Sequence, residues 1–168
     1  MNSGKCLLDK STAEIKLSRM ALEIAEQLSD EEGEIIIFGI EKSGTVIAEH
    51  VAAYLRNLRS NVTVERLIIN KQDPHGVSIS KGLDLNNRNV IVADDVSNSG
   101  RTLLYAMQPL MHFYPRRIQT LVLVERMHKQ FPIKPDYVGL SVATAPADFI
   151  TVEVNESGIE GAFLAGKA

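Results

Sequence analysis

The stretch Val90-Ile91-Val92-Ala93-Asp94-Asp95-Val96-Ser97-Asn98-Ser99-Gly100-Arg101-Thr102 decides the fold. Four apolar residues run into two adjacent acids, and a short loop of small, hydroxyl-bearing residues and a glycine follows. Leu103-Leu104-Tyr105-Ala106-Met107 then resumes at helical spacing. That order reads as a strand buried on both faces, an acidic strand tip, and a turn into a helix N-terminus. Such a turn presents backbone N–H groups without helical acceptors at the positive end of the helix dipole, which suits a phosphate. Ser97, Ser99 and Thr102 add hydroxyl donors, and Gly100 lets the backbone approach closely. The paired acids suit a ribose diol, or a divalent cation held between sugar and pyrophosphate. Together these features describe a receptor for a phosphoribosyl group.

Working outward, Ile35-Ile36-Ile37-Phe38-Gly39-Ile40 is a second continuous apolar run, followed directly by Glu41-Lys42-Ser43-Gly44-Thr45 and a helix over 46–58. A lysine in a glycine-bearing turn at a strand tip suits a second anion, here the pyrophosphate. In front of it, Ile15, Leu17, Met20, Ala21, Ile24, Ala25 and Leu28 form one stripe of a helix over 11–28, with Asp9 placed to begin or cap it. The run 62–69 reads as a strand. The polar stretch 70–89, which contains Lys71, His75 and Lys81, reads as a lid or hairpin. Downstream come a helix over 102–111, a break at Pro115, and a strand over 118–124 that ends in Glu125-Arg126-Met127-His128-Lys129. An irregular return and a last strand over 149–154 follow, and the Gly/Ala-rich tail 156–168 is expected to fray. Strands alternating with helices predict an α/β fold, an open, mostly parallel sheet flanked by helices, with ligands at the carboxyl ends of its strands. The segments Glu41–Thr45, Asp94–Thr102 and Glu125–Lys129 each follow an apolar strand, so they converge on one edge.

Bulk composition narrows the function classes. A chain of 168 residues with 45% hydrophobic content builds one buried domain, taken as 1–168. A net charge of −3 and a pI near 5.8 give no global pull towards nucleic acid or membrane. No apolar run approaches the roughly 18–20 residues that span a bilayer, and the N-terminus lacks the features of a signal peptide. The single cysteine, Cys6, excludes an intrachain disulfide and a cysteine zinc cluster and fits a cytoplasmic protein. The four histidines, His50, His75, His112 and His128, lack metal-ligand spacing.

The central stretch resembles the phosphoribosyl-pyrophosphate (PRPP) motif of type I phosphoribosyltransferases: apolar strand, two acids, a few residues, Ser/Thr-Gly, one residue, Thr. Over roughly residues 6–156 the chain is similar to the bifunctional pyrimidine-operon attenuator/uracil phosphoribosyltransferase family. Leu7-Leu8-Asp9, Phe38-Gly39-Ile40, Pro132-Ile133-Lys134-Pro135-Asp136-Tyr137-Val138-Gly139 and Val152-Glu153-Val154 carry that likeness. The resemblance implies transfer of the phosphoribosyl group from PRPP to uracil, giving UMP and pyrophosphate, with Mg2+ as cofactor. It implies that Asp94 and Asp95 hold the ribose hydroxyls and meet the metal directly or through water. Ser97, Asn98, Ser99, Gly100, Arg101 and Thr102 would bind the 5′-phosphate. Glu41, Lys42, Ser43 and Gly44 would form the pyrophosphate turn, with Lys71 in the lid acting on the leaving group. Glu125, Arg126 and Met127 would lie near the base. A homodimer is likewise expected from the family.

Four positions depart from the family pattern. Lys42-Ser43-Gly44 stands for the common Thr-Arg-Gly, and Asn70-Lys71-Gln72-Asp73 for the lid's Tyr-Arg-Asp. Asn98 stands where this branch has Tyr and purine relatives have Asp, and Arg126-Met127-His128 for Arg-Gly-His. These changes carry an alternative function, a catalytically weak PRPP- and nucleotide-binding regulator of pyrimidine metabolism. The late segment 139–148 is apolar with one acid, and on that ground RNA is not expected as a partner.

Overall fold

Side chains along the central strands alternate between two apolar layers. Ile35 and Ile37 enter one core and Ile36, Phe38 and Ile40 the other; Ile91 and Ala93 are set against Val90 and Val92 in the same way. A strand apolar at every position is therefore one covered on both faces.

The computed structural model describes residues 4–70 and 76–166. In chain order its elements are β1 Lys5–Asp9, α1 Lys10–Gln27, β2 Ile35–Ile40, α2 Glu41–Arg56, β3 Val62–Ile69, β4 Val77–Ile79 and β5 Asn89–Ser97. There follow α3 Arg101–Ala106, a 3-10 turn Gln108–His112, β6 Arg117–Arg126, β7 Tyr137–Val142, β8 Phe149–Asn155 and β9 Gly158–Ala165. Asp9 caps α1, its Oδ1 accepting the Thr12 N–H at 2.7 Å.

A six-stranded sheet has the order β4-β3-β2-β5-β6-β7, parallel throughout except for β4, which runs antiparallel to β3. From β2 the chain steps to β3 on one side and later returns to β5 on the other. The strand order therefore reverses between β2 and β5, and a crevice opens outside their carboxyl ends. α1 and α2 cover one face with β8 and β9, and α3 covers the other. The expected α/β architecture is the one observed.

Several boundaries differ from the sequence reading. The tail expected to fray forms β9, held between β1 and β8 in a second, antiparallel sheet, with Ile159 and Ala162 fully buried. β8 reaches it through the short turn at Glu156-Ser157, but its other partner, β1, lies at the opposite end of the chain, which no local pattern reveals. The irregular return contains β7, parallel to β6. The helix after the central loop is shorter than expected and gives way to the 3-10 turn at Pro109. The described part of the 70–89 stretch is a hairpin arm: the Asn70 N–H donates to Gly76 O at 2.9 Å and β4 pairs with β3. Lys71 and His75 lie outside the described residues.

Candidate functional site

β2, β5 and β6 are neighbours in the sheet, so the segments that follow them meet at one edge. The register aligns Gly39 with Ala93, and Ser97 with Glu125 and then Ser141. Two adjoining hollows occupy this edge. One of about 80 Å3 is walled by Asp94 and the loop Val96–Leu103. Another of about 300 Å3 is lined by Ile40, Glu41, Ser43, Asp94, Asp95 and, opposite, Ile150, Thr151 and Val152 of β8. Asp94, Val96, Asn98 and Thr102 line both.

The acids occupy successive positions of a strand and so face opposite sides of the sheet. Asp94 shares the side of Val90 and Val92, towards α3, and lines both hollows. Asp95 lines only the larger. Asp94 is 7% exposed and its Oδ1 accepts the Asp95 N–H at 2.9 Å; Asp95 Oδ1 accepts the Val96 N–H at 2.7 Å. These bonds hold both carboxylates against the strand tip.

The loop into α3 turns on Gly100, whose φ of 87° is left-handed and disfavours any residue with a Cβ. Ser99 O accepts the N–H groups of Gln130 and Phe131 at 3.0 and 3.1 Å, and the Arg101 guanidinium stacks 5.2 Å from the Phe131 ring centroid. The loop is thus braced from the segment after β6.

α2 begins directly at the strand end, so the sequence-predicted turn is the helix's own first turn. No side chain caps it, its first N–H groups have no intrahelical acceptor, and Ile40, Glu41 and Ser43 at this end line the larger hollow. Glu41 has φ 53°, a left-handed backbone that costs a non-glycine residue about 1 kcal/mol or more. Gly44 lies so close to β5 that a Cβ would stand 2.7 Å from Ala93 O and 3.3 Å from Asp94 Cα.

The expected base-side residues are engaged elsewhere. Glu125, 7% exposed, accepts from Ser141 Oγ at 2.7 Å and lies 3.6 Å from Lys129 Nζ. Arg126 donates to Thr144 Oγ1 and to the carbonyls of Ala145 and Pro146 at 2.6, 2.9 and 3.2 Å, and Met127 is exposed. None of the three lines the larger hollow. Arg126 faces a separate hollow of about 310 Å3 with Asn98, Ser99, His128, Lys129, Gln130 and Pro146.

Three features escaped the sequence reading. Lys129 donates to Ser97 O and Ser97 Oγ, both at 3.0 Å, and to Arg126 O at 2.8 Å, joining the loop's first residue to the end of β6. Burial pushes its pKa below the ordinary 10.5, partly opposed by Glu125. Thr151 Oγ1 is buried without a hydrogen-bond partner, and so is Asn98 Oδ1, both on the larger hollow. A hydroxyl-bearing residue in the apolar run 149–154 was the only signal available for Thr151.

Among the described residues the larger hollow is lined by three carboxylates, Glu41, Asp94 and Asp95, and by no cationic side chain. Such a lining suits a polyanion that brings its own cation. Among the described residues no cluster of three or more His, Cys, Asp or Glu forms a metal cage. That donor set fits Mg2+ carried in by a phosphate ligand, since Mg2+ takes one or two carboxylates and completes its shell with ligand oxygens and water. Among the described residues no helix is long and apolar enough to cross a membrane.

The phosphoribosyl transferase domain profile matches residues 3–157. The bifunctional protein PyrR of Clostridium novyi is 33% identical, covering 96% of this chain and 97% of its own. That of Oceanobacillus iheyensis is 31% identical over 89% and 90%. The hypoxanthine phosphoribosyltransferase of Trypanosoma cruzi superposes with a TM-score of 0.80 over 98% of this chain and 97% of its own at 14% identity, a likeness of fold alone. The PyrR relatives overturn the expectation that RNA is not a partner, because PyrR is the attenuator family whose regulatory role is RNA binding. That expectation rested on segment 139–148. Its first part belongs to strand β7, where apolar residues serve the sheet and say nothing about a nucleic-acid face assembled elsewhere. The chain belongs to the phosphoribosyltransferase family, with the bifunctional PyrR proteins among its relatives.

Proposed function

We propose that the protein is a PRPP- and nucleotide-binding regulator of pyrimidine metabolism, with weak phosphoribosyl transfer and with RNA as its partner. The observation that carries the ligand class is the junction of the two hollows. A space the size of a phosphate adjoins a larger, acid-lined one, and they share Asp94, Asn98 and Thr102. A 5′-phosphate in the first and a ribose diol in the second reproduce the span of a phosphoribosyl group.

In this reading the loop N–H groups and the hydroxyls of Ser99 and Thr102 bind the 5′-phosphate, with Ser97 held in line by Lys129. Asp94 and Asp95 accept the ribose hydroxyls. The first turn of α2, Glu41–Gly44, receives the pyrophosphate, and Lys71 acts on it from the 70–89 stretch. Bound Mg2+ would neutralise pyrophosphate charge as it develops on departure. The base lies against Ile150–Val152, where Thr151 Oγ1 and Asn98 Oδ1 need partners that a pyrimidine's N–H groups supply. Weak turnover follows from the engaged Glu125 and Arg126 and from a pyrophosphate turn with a single cation, Lys42, and no arginine. RNA as partner follows from the PyrR likeness.

The second reading, a full uracil phosphoribosyltransferase, is favoured by the intact Asp94-Asp95 and Ser99-Gly100-Arg101-Thr102. Calorimetric titration with Mg2+-PRPP and with UMP, beside pyrophosphate release against a panel of bases, separates the two. Binding with slow release is expected; fast release with uracil selects the enzyme, and no binding rejects both. Titration of a pyrimidine-operon leader RNA at several salt concentrations should show a steep salt slope. Binding that salt leaves unchanged, or no binding, removes RNA from the reading.

A further inference from the structure

Beside the larger hollow, and sharing Glu41 and Ser43 with it, runs a groove of about 690 Å3 whose β3 wall the roles above leave unused. Lys42, Thr45 and Val46 of α2 form one wall, and Arg66 and Ile68 of β3 the other. Arg66 pairs in register with Gly39 on β2, so their backbones lie about 4.8 Å apart. Gly39 offers no side chain on that face. The backbone of Gly44 and Thr45 fills the space, for a Cβ on Gly39 would fall 2.3 Å from Thr45 Cα. The first turn of α2 therefore sits directly beside Arg66, and an arginine side chain spans that separation.

The charges decide what the groove can hold. Among described side chains Lys42 is the only cation of the turn, and its neighbour in sequence is the acid Glu41. Arg66 is exposed, and among the described residues no carboxylate lies within ion-pair distance of it or of Lys42. With Arg66 included, the surroundings of the turn become net positive. We infer that Arg66 is a pyrophosphate-binding residue: from β3 it supplies the guanidinium that the turn Lys42-Ser43-Gly44 lacks, gripping the outer phosphate of a pyrophosphate seated on the α2 N-terminus. A guanidinium holds phosphate oxygens in a two-pronged, charge-assisted contact that an ammonium does not reproduce. The inference rests on the phosphoribosyl reading of the site and deepens it by naming a residue for the leaving group.

The test compares Arg66→Ala and Arg66→Lys with the wild-type chain by calorimetry. One probe is inorganic pyrophosphate with Mg2+; the other is ribose 5-phosphate, which reaches the Ser97–Thr102 loop and lacks the pyrophosphate. Arg66→Ala should weaken pyrophosphate binding by about tenfold or more, the effect of losing a charged hydrogen-bonding partner. Ribose 5-phosphate should stay within about twofold, and Arg66→Lys should recover part of the loss. Unchanged pyrophosphate affinity in Arg66→Ala overturns the inference. An equal loss of both ligands also overturns it, since Arg66 would then act through the fold. Wild-type protein that binds ribose 5-phosphate but no pyrophosphate overturns this inference alone; protein that binds neither sinks the phosphoribosyl reading as well.

Discussion

At the scale of single residues, Asp94 and Asp95 divide the candidate site because they are neighbours on a strand: one faces the side of α3, the other the side of α2. The Asp94→Asn, Asp95→Asn double variant should lose Mg2+-dependent PRPP binding, with its circular dichroism and Tm preserved. Retained Mg2+-dependent binding would strip both acids of their role. This pair was legible in the sequence because adjacent acids at a strand tip form a local pattern. Lys129 was not, because its importance lies in bonds to Ser97, 32 positions earlier in the chain. Lys129→Met removes those bonds and leaves Glu125, only 7% exposed, without its cation. We expect a loss of about 2–4 kcal/mol in urea unfolding, partly recovered when Glu125→Gln is added, and weaker binding of ribose 5-phosphate. A variant as stable as wild type with full phosphate affinity would show that Lys129 positions nothing.

At the scale of elements, the site depends on how closely α2 approaches β5. Gly44 belongs to the first turn of the helix and touches the strand at Ala93 and Asp94. Gly44→Ala must push helix and strand apart, because a Cβ 2.7 Å from a backbone carbonyl has no flexible neighbour to displace. The expected cost is about 1–3 kcal/mol of stability, typical of overpacking, together with a fall in PRPP affinity as the crevice between β2 and β5 changes shape. Equal urea midpoints would mean that α2 shifts freely. The strands β2, β5 and β6 could be read from sequence because burial on both faces leaves them apolar at nearly every position. β1, β7 and β9 could not: each is a half-buried or edge strand whose small and polar residues match a loop as well as a strand.

At the scale of the whole molecule, Tyr137 couples the sheet to α1. Its hydroxyl lies 2.9 Å from Gln27 Oε1 and 3.0 Å from Gln119 Oε1 and donates to one of them. Burial, with the charge of Asp136 adding to it, pushes its pKa up to about 12 from the ordinary 10.0. The folded state therefore keeps the phenol neutral while the unfolded chain ionises. The stability this residue contributes is present below pH 10 and is lost as pH rises towards 12. Urea midpoints between pH 9 and 12 should fall more steeply for wild type than for Tyr137→Phe; parallel curves would remove Tyr137 from the alkaline response. By itself the sequence determined the α/β class, the strand–loop–helix unit at Asp94–Thr102 and the gathering of three segments at one edge, because periodicity and loop chemistry are local. Only the tertiary structure decided that Glu125 and Arg126 are tied into the scaffold, that Lys129 braces the loop, that β8 walls the larger hollow, and that Arg66 stands beside the α2 turn. Those outcomes depend on which distant strands pair, and pairing is settled by burial across the whole chain.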